Sequence, residues 1–491
     1  MTLQEFEALA AQGFTRIALV REVLADLDTP LSTYLKLAGV PYSYLLESVT
    51  GGEKSGRYSM IGLQASSIIR ITEQTIEVCE NGTVTQHHQA RNPLQWLSEY
   101  LAAIKAAPVP VLPRFTGGLV GYFGYDTVRY VEPRLGANPH PDELNVPDIL
   151  LMVSDQLLVF DNVRGRLYIV VHAIPGTDHA WASANARIEE LAGLLRSATL
   201  PADRPRSRCV VGEDDFVSGF GREEFEQAVR RCKQYIVNGD AMQIVLSQRL
   251  TAPFDGDPLD FYRALRGLNP SPYMFYLDLG GFQVVGSSPE ILTQVENGKI
   301  TLRPLAGTRP RGADAKADQV LEQELLADPK ERAEHLMLID LGRNDIGRVA
   351  QIGTVEVTEQ FAVEYYSHVM HIVSNVHGQL APSMSVMDAL AATFPAGTLS
   401  GAPKIRALEI LDELEVTKRG VYSGAVGYIS FDGGMDTAIA IRTAVVKDGA
   451  VFVQAGAGIV ADSDPATEWE ETMAKSRALI RAVEAASKGL R

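Results

Sequence analysis

The sequence predicts an α+β fold built on antiparallel sheets, and two observations carry that reading. β-prone runs arrive in consecutive pairs set off by turn residues. Helical segments fall between groups of strands instead of alternating with single strands, which argues against a doubly wound parallel sheet. At 491 residues, with 46% hydrophobic and 22% charged content, the chain is long enough for two domains or more of about 100–200 residues each.

Taken in order, residues 1–30 read as a helix followed by a polar joint, and 31–38 as a second helix stopped by Gly39 and Pro41. Residues 42–48 are a strand, Gly51-Gly52-Glu53-Lys54 a turn, and 57–62 the exit from it. Strands with turn punctuation continue through 68–78 and 83–86. Residues 94–107 form a helix that Pro108 and Pro110 end. The glycine-studded aromatic run 117–126 signals close backbone packing or a bulge. Residues 149–160 and 166–173 read as adjacent antiparallel strands joined at Asp161-Asn162, and 180–197 as a helix. Residues 199–216, rich in proline and charge without periodicity, mark a domain edge between 1–200 and 216–487. An amphipathic helix over 222–239, strands over 242–250 and 274–279, and a strand pair 282–287 and 291–295 around Ser288-Pro289-Glu290 follow. No internal repeat or low-complexity tract interrupts this order.

The net charge of −16 (45 basic, 61 acidic residues) argues against nucleic acid or an anionic membrane as the main partner, but leaves room for a small anion in a local basic pocket. No apolar run is long enough to span a bilayer, and the N-terminal residues lack the pattern of a signal peptide. Three scattered cysteines, Cys79, Cys209 and Cys232, fit a reducing cytoplasm and offer no zinc spacing.

The chemistry concentrates in the second half. Residues 454–475 read as strand, glycine turn, acidic loop and helix. Gly456 and Gly458 lack a Cβ, so backbone N–H groups can approach an anion. Asp464-Pro465 has the form of an N-cap followed by proline at the first helical position, and Glu468, Glu471 and Lys475 share the face that follows. Such a face suits a metal beside an anionic ligand. It equally suits a plain turn, dipole-matched acids and a Glu471–Lys475 surface pair. The helix over 329–346 places Glu331 and Glu334 on one face, with the same two readings. The loop 303–309 suits either a carboxylate or an ordinary turn. His368 and His371 are spaced i, i+3 without a third ligand at supporting spacing, so a zinc site is not indicated. Residues 394–404 form a glycine/proline loop opening a helix, and Tyr422 and Arg442 lie near the ends of strands 423–431 and 437–446, as structural or ligand-facing groups.

Six stretches in order, LAGTRPRG, EHLMLIDLGRND, VMHIVS, GTLSGAPK, AIRTA and QAGAGIVADSDPATEWEET, resemble the chorismate-utilising enzymes over about residues 220–485. LLES (45–48), GGEKSGRYS (51–59) and NPSPYMFY (269–276) resemble the tryptophan-regulated large subunits of anthranilate synthases. Within the family, aminodeoxychorismate synthases carry a nucleophilic lysine where this chain has Ala306. Isochorismate-forming relatives carry a lysine base where it has Gln243. Neither lysine is present, which favours external ammonia as nucleophile.

The resemblance implies two antiparallel sheets packed as a sandwich with helices outside, an N-terminal regulatory part (1–200) and a chorismate-binding catalytic part (216–487). It implies Mg2+ held by Glu334 and Glu471 at the ring carboxylate of chorismate, and the enolpyruvyl carboxylate held by Tyr422, Arg442 and the amides of Gly456, Ala457 and Gly458. Gly307 and Thr308 also face substrate. His371, Glu290, Thr308 and Glu331 supply catalytic polar groups. L-Tryptophan as inhibitor occupies Glu47, Ser48, Pro272, Tyr273 and Met274, apart from the catalytic cleft. No amidotransferase elbow occurs in the chain, so ammonia is expected from a separate glutamine amidotransferase subunit, in a heterotetramer.

Overall fold

Tyr44 and Leu45 are neighbours in sequence and fully buried in different cores, because successive side chains of a strand point to opposite faces. Leu157 and Val159 alternate with Leu158 and Phe160 in the same way. A strand buried on both faces lies between two layers, and that pattern sets the architecture. The computed structural model describes residues 1–49, 56–109, 115–200, 207–366 and 369–490. The turn expected at 51–54, the stop at Pro110, residues 201–206 of the expected domain edge, and His368 lie outside them.

Two twelve-stranded antiparallel sheets face each other. The first runs Ile17–Leu24, Arg166–Ala173, Gln156–Asp161, Tyr58–Gly62, Ser43–Glu47, Tyr273–Asp278, Phe282–Ser288, Thr443–Lys447, Ala450–Ile459, Gln243–Pro253 and Val217–Ser218, with Gly401–Ala402 paired beside Gln243–Pro253. The second runs Leu305–Pro310, Val369–Gln379, Lys299–Leu302, Ile291–Glu296, Met435–Ile439, Ala425–Ser430, Gly118–Phe123, Ile149–Ser154, Ser67–Thr72, Thr75–Glu80 and Thr83–Gln89, with Glu356–Tyr365 paired beside Val369–Gln379. Both sheets mix strands from residues 1–200 and 216–487: Ser43–Glu47 pairs with Tyr273–Asp278, and Gly118–Phe123 with Ala425–Ser430.

Between the sheets lies a shared core that includes Tyr44, Phe275 and Val445 from the first and Val120, Tyr122 and Met152 from the second. The Tyr44 hydroxyl reaches Ser154 Oγ across it at 2.7 Å. Gly62 makes room for that ring, since a Cβ there would lie 1.9 Å from Tyr44 Cε1. The outer face of the first sheet is covered by helices Ala180–Ser197, Pro258–Leu268 and Pro465–Lys488. The outer face of the second is covered by Pro93–Ala102, Pro329–Gly347 and Val386–Thr393. This is the expected sandwich with helices outside. Among the described residues no helix is long and apolar enough to cross a membrane. Cys79 and Cys232 are buried and Cys209 exposed, all as free thiols.

Several local expectations give way to sheet geometry. Part of the polar joint expected within 1–30 is the strand Ile17–Leu24, whose alternation is masked by the adjacent Arg21 and Glu22. The helix expected over 94–107 ends at Ala102. The run 149–160 breaks at Asp155: Ile149–Ser154 belongs to the second sheet and Gln156–Asp161 to the first. The strands around Ser288-Pro289-Glu290 do not pair with each other, because the chain crosses there from the first sheet to the second. The run 437–446 is likewise two strands, one in each sheet, with Arg442 between them. Continuous apolar runs hide such crossings because both halves are buried. The helix Pro258–Leu268 has no counterpart among the expected elements. Part of the expected domain edge is packed: Val211 and Phe216 join the core, and the Val211 amide donates to Ser487 Oγ at 3.0 Å.

Candidate functional site

The two crossings lie side by side. Phe282–Ser288 pairs with Thr443–Lys447 in the first sheet, and Ile291–Glu296 with Met435–Ile439 in the second. Between them the Ile439 amide donates to the Glu290 carbonyl and the Ser287 amide to the Arg442 carbonyl, each at 3.0 Å. Backbone register thus fixes Glu290 and Arg442 near one another. Arg442 takes φ +48°, a left-handed conformation costly for a side chain with a Cβ and held by the two flanking ladders. Its guanidinium has no hydrogen bond or ion pair within the described residues, and Glu290 and Tyr366 are ionisable groups close enough to act on it. Burial lowers its pKa, and those two groups raise it. Uncommitted guanidinium donors in a partly buried site suit a ligand carboxylate.

Glu290 is 8% exposed. Burial pushes its carboxyl up to about 8, against a hydrogen bond donated by Thr398 Oγ1 at 3.2 Å and the charges of Arg442 and Lys475. At neutral pH it holds a proton. His371 moves the other way: burial lowers its pKa, with the Gly307 carbonyl partly offsetting. Nδ1 lies 2.9 Å from that carbonyl, which only accepts, so Nδ1 carries the proton and Nε2 the lone pair. Thr308 Oγ1 is 3.1 Å from the same Nδ1. A protonated carboxyl and a neutral imidazole in one cleft form an acid and a base set apart by environment.

This arrangement depends on a bulge. Thr308 pairs with His371 and Ala306 with Ile372, and the register slips between them at Gly307, whose φ is +67°. A Cβ at 307 would also lie 3.2 Å from Glu331 Oε2. Glu331 is half-buried, its pKa raised first by burial and also by Glu334, and it accepts from Arg309 Nη1 at 3.3 Å.

Two helix starts bring carboxylates to the site. Asp328 and Asp464 cap Pro329–Gly347 and Pro465–Lys488, each followed by proline. Glu331 and Glu334 come from the first helix, Glu468 and Glu471 from the second. The charge of Lys330 on the first helix acts on Glu468 of the second. Burial raises the pKa of Glu468, as does Glu471. Gly456, Ala457 and Gly458 lie within the strand Ala450–Ile459, not in the turn expected from sequence. They face Ser247, Leu246 and Val245 on one side. On the other, the strand Thr443–Lys447 pairs only as far as Val453. The edge from 454 to 459 is therefore free of that partner. The glycines serve for space and not for φ: a Cβ at 456 would lie 2.9 Å from the Tyr422 hydroxyl, and one at 458 would lie 2.8 Å from Gln243 Nε2. Gln243 Nε2 donates to Glu334 Oε1 at 3.1 Å. Lys475 Nζ donates to the Gly456 carbonyl at 2.9 Å and pairs with Glu471 at 2.8 Å. Glu334 is thus linked to this part of the sheet through Gln243, and Glu471 through Lys475.

Carboxylates are the ligand type a small hard cation prefers, and Glu334 and Glu471 offer them from two helices. Among the described residues no group of three His, Cys, Asp or Glu is placed to hold a metal ion.

Glu47, Ser48, Pro272, Tyr273 and Met274 come together as expected, with Glu47 opposite Met274 across adjacent strands. They line a cavity of about 1350 Å³ whose wall extends to Glu290 but does not include His371, Thr308, Glu331 or Arg442. Glu47 is already engaged, accepting from Tyr262 Oη at 2.6 Å and from Arg266 at 2.9 and 3.2 Å. Tyr273 Oη donates to Asp436 at 2.8 Å. Thr398 and Lys475 join the site beyond the residues assigned from sequence. The signal for Thr398 is its place in the GTLSGAPK stretch, and that for Lys475 is the helix face it shares with Glu468 and Glu471.

Residues 43–481 match the family model for chorismate binding enzymes. Anthranilate synthase component 1 of Pseudomonas aeruginosa is 57% identical over 484 residues, 98% of each chain. That of Aquifex aeolicus is 48% identical, covering 99% of this chain and 98% of its own. The crystal structure of anthranilate synthase component I from Streptococcus pneumoniae superposes with a TM-score of 0.78 at 37% identity, over 94% of this chain and 99% of that one. A menaquinone-specific isochorismate synthase from Escherichia coli shares the fold, with a TM-score of 0.70 at 19% identity over 98% and 99%. The chain belongs to the chorismate binding enzymes, within the family of anthranilate synthase component 1.

Proposed function

We propose that the chain converts chorismate and ammonia to anthranilate and pyruvate. The observation that carries this reading is the content of positions 243 and 306. An amide bound to Glu334 and a methyl group stand where relatives place a lysine base and a lysine nucleophile, beside a protonated Glu290 and a neutral His371. The cleft can move protons but supplies no nucleophile at those positions, so nitrogen comes from outside.

Arg442, Tyr422 and the free edge at 456–458 bind the enolpyruvyl carboxylate. Glu334 and Glu471 would hold magnesium, which neutralises the ring carboxylate when bound. Ammonia attacks ring carbon 2, and the hydroxyl on carbon 4 leaves as water with the proton that Glu290 holds. His371 Nε2 is the base available for the later loss of pyruvate, with Thr308 and Gly307 fixing its tautomer. Glu331, tied to Arg309, supports the charge balance beside Glu334. Aromatisation makes the sequence downhill.

Further parts of the reading follow from the family. Ammonia comes from a glutamine amidotransferase subunit in a cytoplasmic heterotetramer. L-Tryptophan binds among Glu47, Ser48, Pro272, Tyr273 and Met274 and feeds back on the reaction. Because Glu47 is paired with Arg266, tryptophan's ammonium would compete with that arginine for the carboxylate. Chromatographic identification of the product from chorismate, magnesium and ammonium decides the assignment. Anthranilate supports it; aminodeoxychorismate or isochorismate excludes it.

A further inference from the structure

Arg419 is 1% exposed and satisfies all five of its N–H donors inside the protein. Nε donates to Glu415 Oε2 at 2.8 Å and Nη2 to Glu415 Oε1 at 2.7 Å, a two-pronged ion pair. Nη1 donates to the Leu399 carbonyl at 2.7 Å and Ser423 Oγ at 3.0 Å, and Nη2 also to the Val245 carbonyl at 2.7 Å. The guanidinium carbon lies 4.7 Å from the Tyr125 ring centroid and 5.7 Å from that of Tyr422. Glu415 Oε1 accepts in addition from the Ser247 amide at 2.9 Å and Ser247 Oγ at 2.7 Å.

Each of these partners is the immediate neighbour of a group facing the cleft. Leu399 follows Thr398, which donates to Glu290. Ser423 follows Tyr422. Val245 and Ser247 are the cross-strand partners of Gly458 and Gly456. One buried ion pair therefore ties together three separate pieces of the carboxylate-binding wall, the short helix that carries Leu399, the loop at Ser423 and the strand Gln243–Pro253, and does not touch the cleft groups Arg442, Glu290 or His371.

We propose that Glu415 and Arg419 are positioning residues for substrate, setting Tyr422 and the 456–458 strand at the spacing that the enolpyruvyl carboxylate requires. The assignment rests on the proposed roles of Tyr422 and the glycine strand. A buried pair of this kind is a weak source of stability, because desolvation offsets its attraction and apolar replacements of the same volume are often tolerated. Its advantage is geometric: the planar fork binds five acceptors in fixed directions, which a lysine ammonium cannot reproduce.

The test is steady-state kinetics of the full chain with chorismate, magnesium and ammonium, alongside circular dichroism and unfolding midpoints. Arg419→Lys should keep the fold and raise the chorismate KM by about 10- to 100-fold. The pair Glu415→Leu with Arg419→Met, which leaves no lone buried charge, should be folded and similarly impaired. Tyr422→Phe should raise KM as well, and Arg419→Lys combined with Tyr422→Phe should lose far less than the product of the two single losses, because both act through one group. A wild-type KM in folded Arg419→Lys, or fully multiplicative losses in the combination, overturns the proposal. A wild-type KM in Tyr422→Phe overturns it too, by removing the group it acts through, and identifies the reading of Tyr422 as the failure. If the Arg419 variants do not fold, Glu415→Gln, which keeps shape and removes the charge, is held to the same criteria.

Discussion

Gln243 donates to Glu334 at 3.1 Å, joining the strand Gln243–Pro253 to the helix Pro329–Gly347 that carries two of the site's carboxylates. The amide is itself uncharged, so it orients Glu334 without placing an opposing charge beside it. Gly458 permits the contact, since a Cβ there would meet the Gln243 amide at 2.8 Å.

Glu334→Gln and Glu471→Gln each remove a formal charge with little change of shape. Either substitution should lower activity by at least about 100-fold at limiting magnesium and shift the magnesium response to higher concentration, while the unfolding midpoint stays near wild type. Magnesium titrations of initial rate check this. Full activity of Glu471→Gln at low magnesium contradicts the metal assignment.

Glu290 gives a pH signature. Its folded value of about 8 lies above its ordinary 4.5, so the folded protein holds an extra proton between those values and stability falls as pH rises through that window. Glu290→Gln abolishes the titration. Relative to wild type it should gain on the order of 3–5 kcal/mol of stability between about pH 4 and about pH 9, read from denaturant unfolding. The variant should also lose most activity, because a glutamine cannot deliver a proton. A pH-independent stability difference contradicts the buried, protonated state.

Arg442→Lys should raise the chorismate KM by about 10-fold or more, since an ammonium lacks the planar fork that matches a carboxylate. Gly456→Ala should do likewise, because the added methyl would sit 2.9 Å from both the Leu246 carbonyl and the Tyr422 hydroxyl. Both variants are compared with wild type by initial rates across a chorismate series.

Ser48→Phe should fill part of the cavity beside Pro272, Tyr273 and Met274 and abolish inhibition by tryptophan, with uninhibited activity near wild type. Coupling between an inhibitor and a catalytic site is typically worth about 1–3 kcal/mol, enough for a clear shift in an inhibition curve. Equal inhibition of the two proteins, or none in wild type, contradicts the regulatory role.

Layering was legible from sequence because helices and strands leave different periodicities, and 180–197 was located to the residue. The crossings between sheets were not. At Asp155, at Glu290 and at Arg442 the strands on either side are largely buried, so nothing in the pattern shows that the chain changes sheet. Those crossings place Glu290 and Arg442, so the site's centre was legible from motif order and its geometry was not. The glycines at 456 and 458 carried the right suspicion of close approach for the wrong local structure, since a strand edge needs small residues as much as a turn does. The Glu415–Arg419 pair passed unnoticed because a helix-spaced acid and arginine usually mark a solvated face.

Anthranilate fluorescence from the isolated chain, with chorismate and magnesium and either ammonium or glutamine as nitrogen source, is the most direct measurement of the central assignment. Ammonium at alkaline pH, where free ammonia is abundant, should give anthranilate, and glutamine should give none until an amidotransferase subunit is added. Glutamine-dependent anthranilate from this chain alone, or no anthranilate from ammonium, would contradict it.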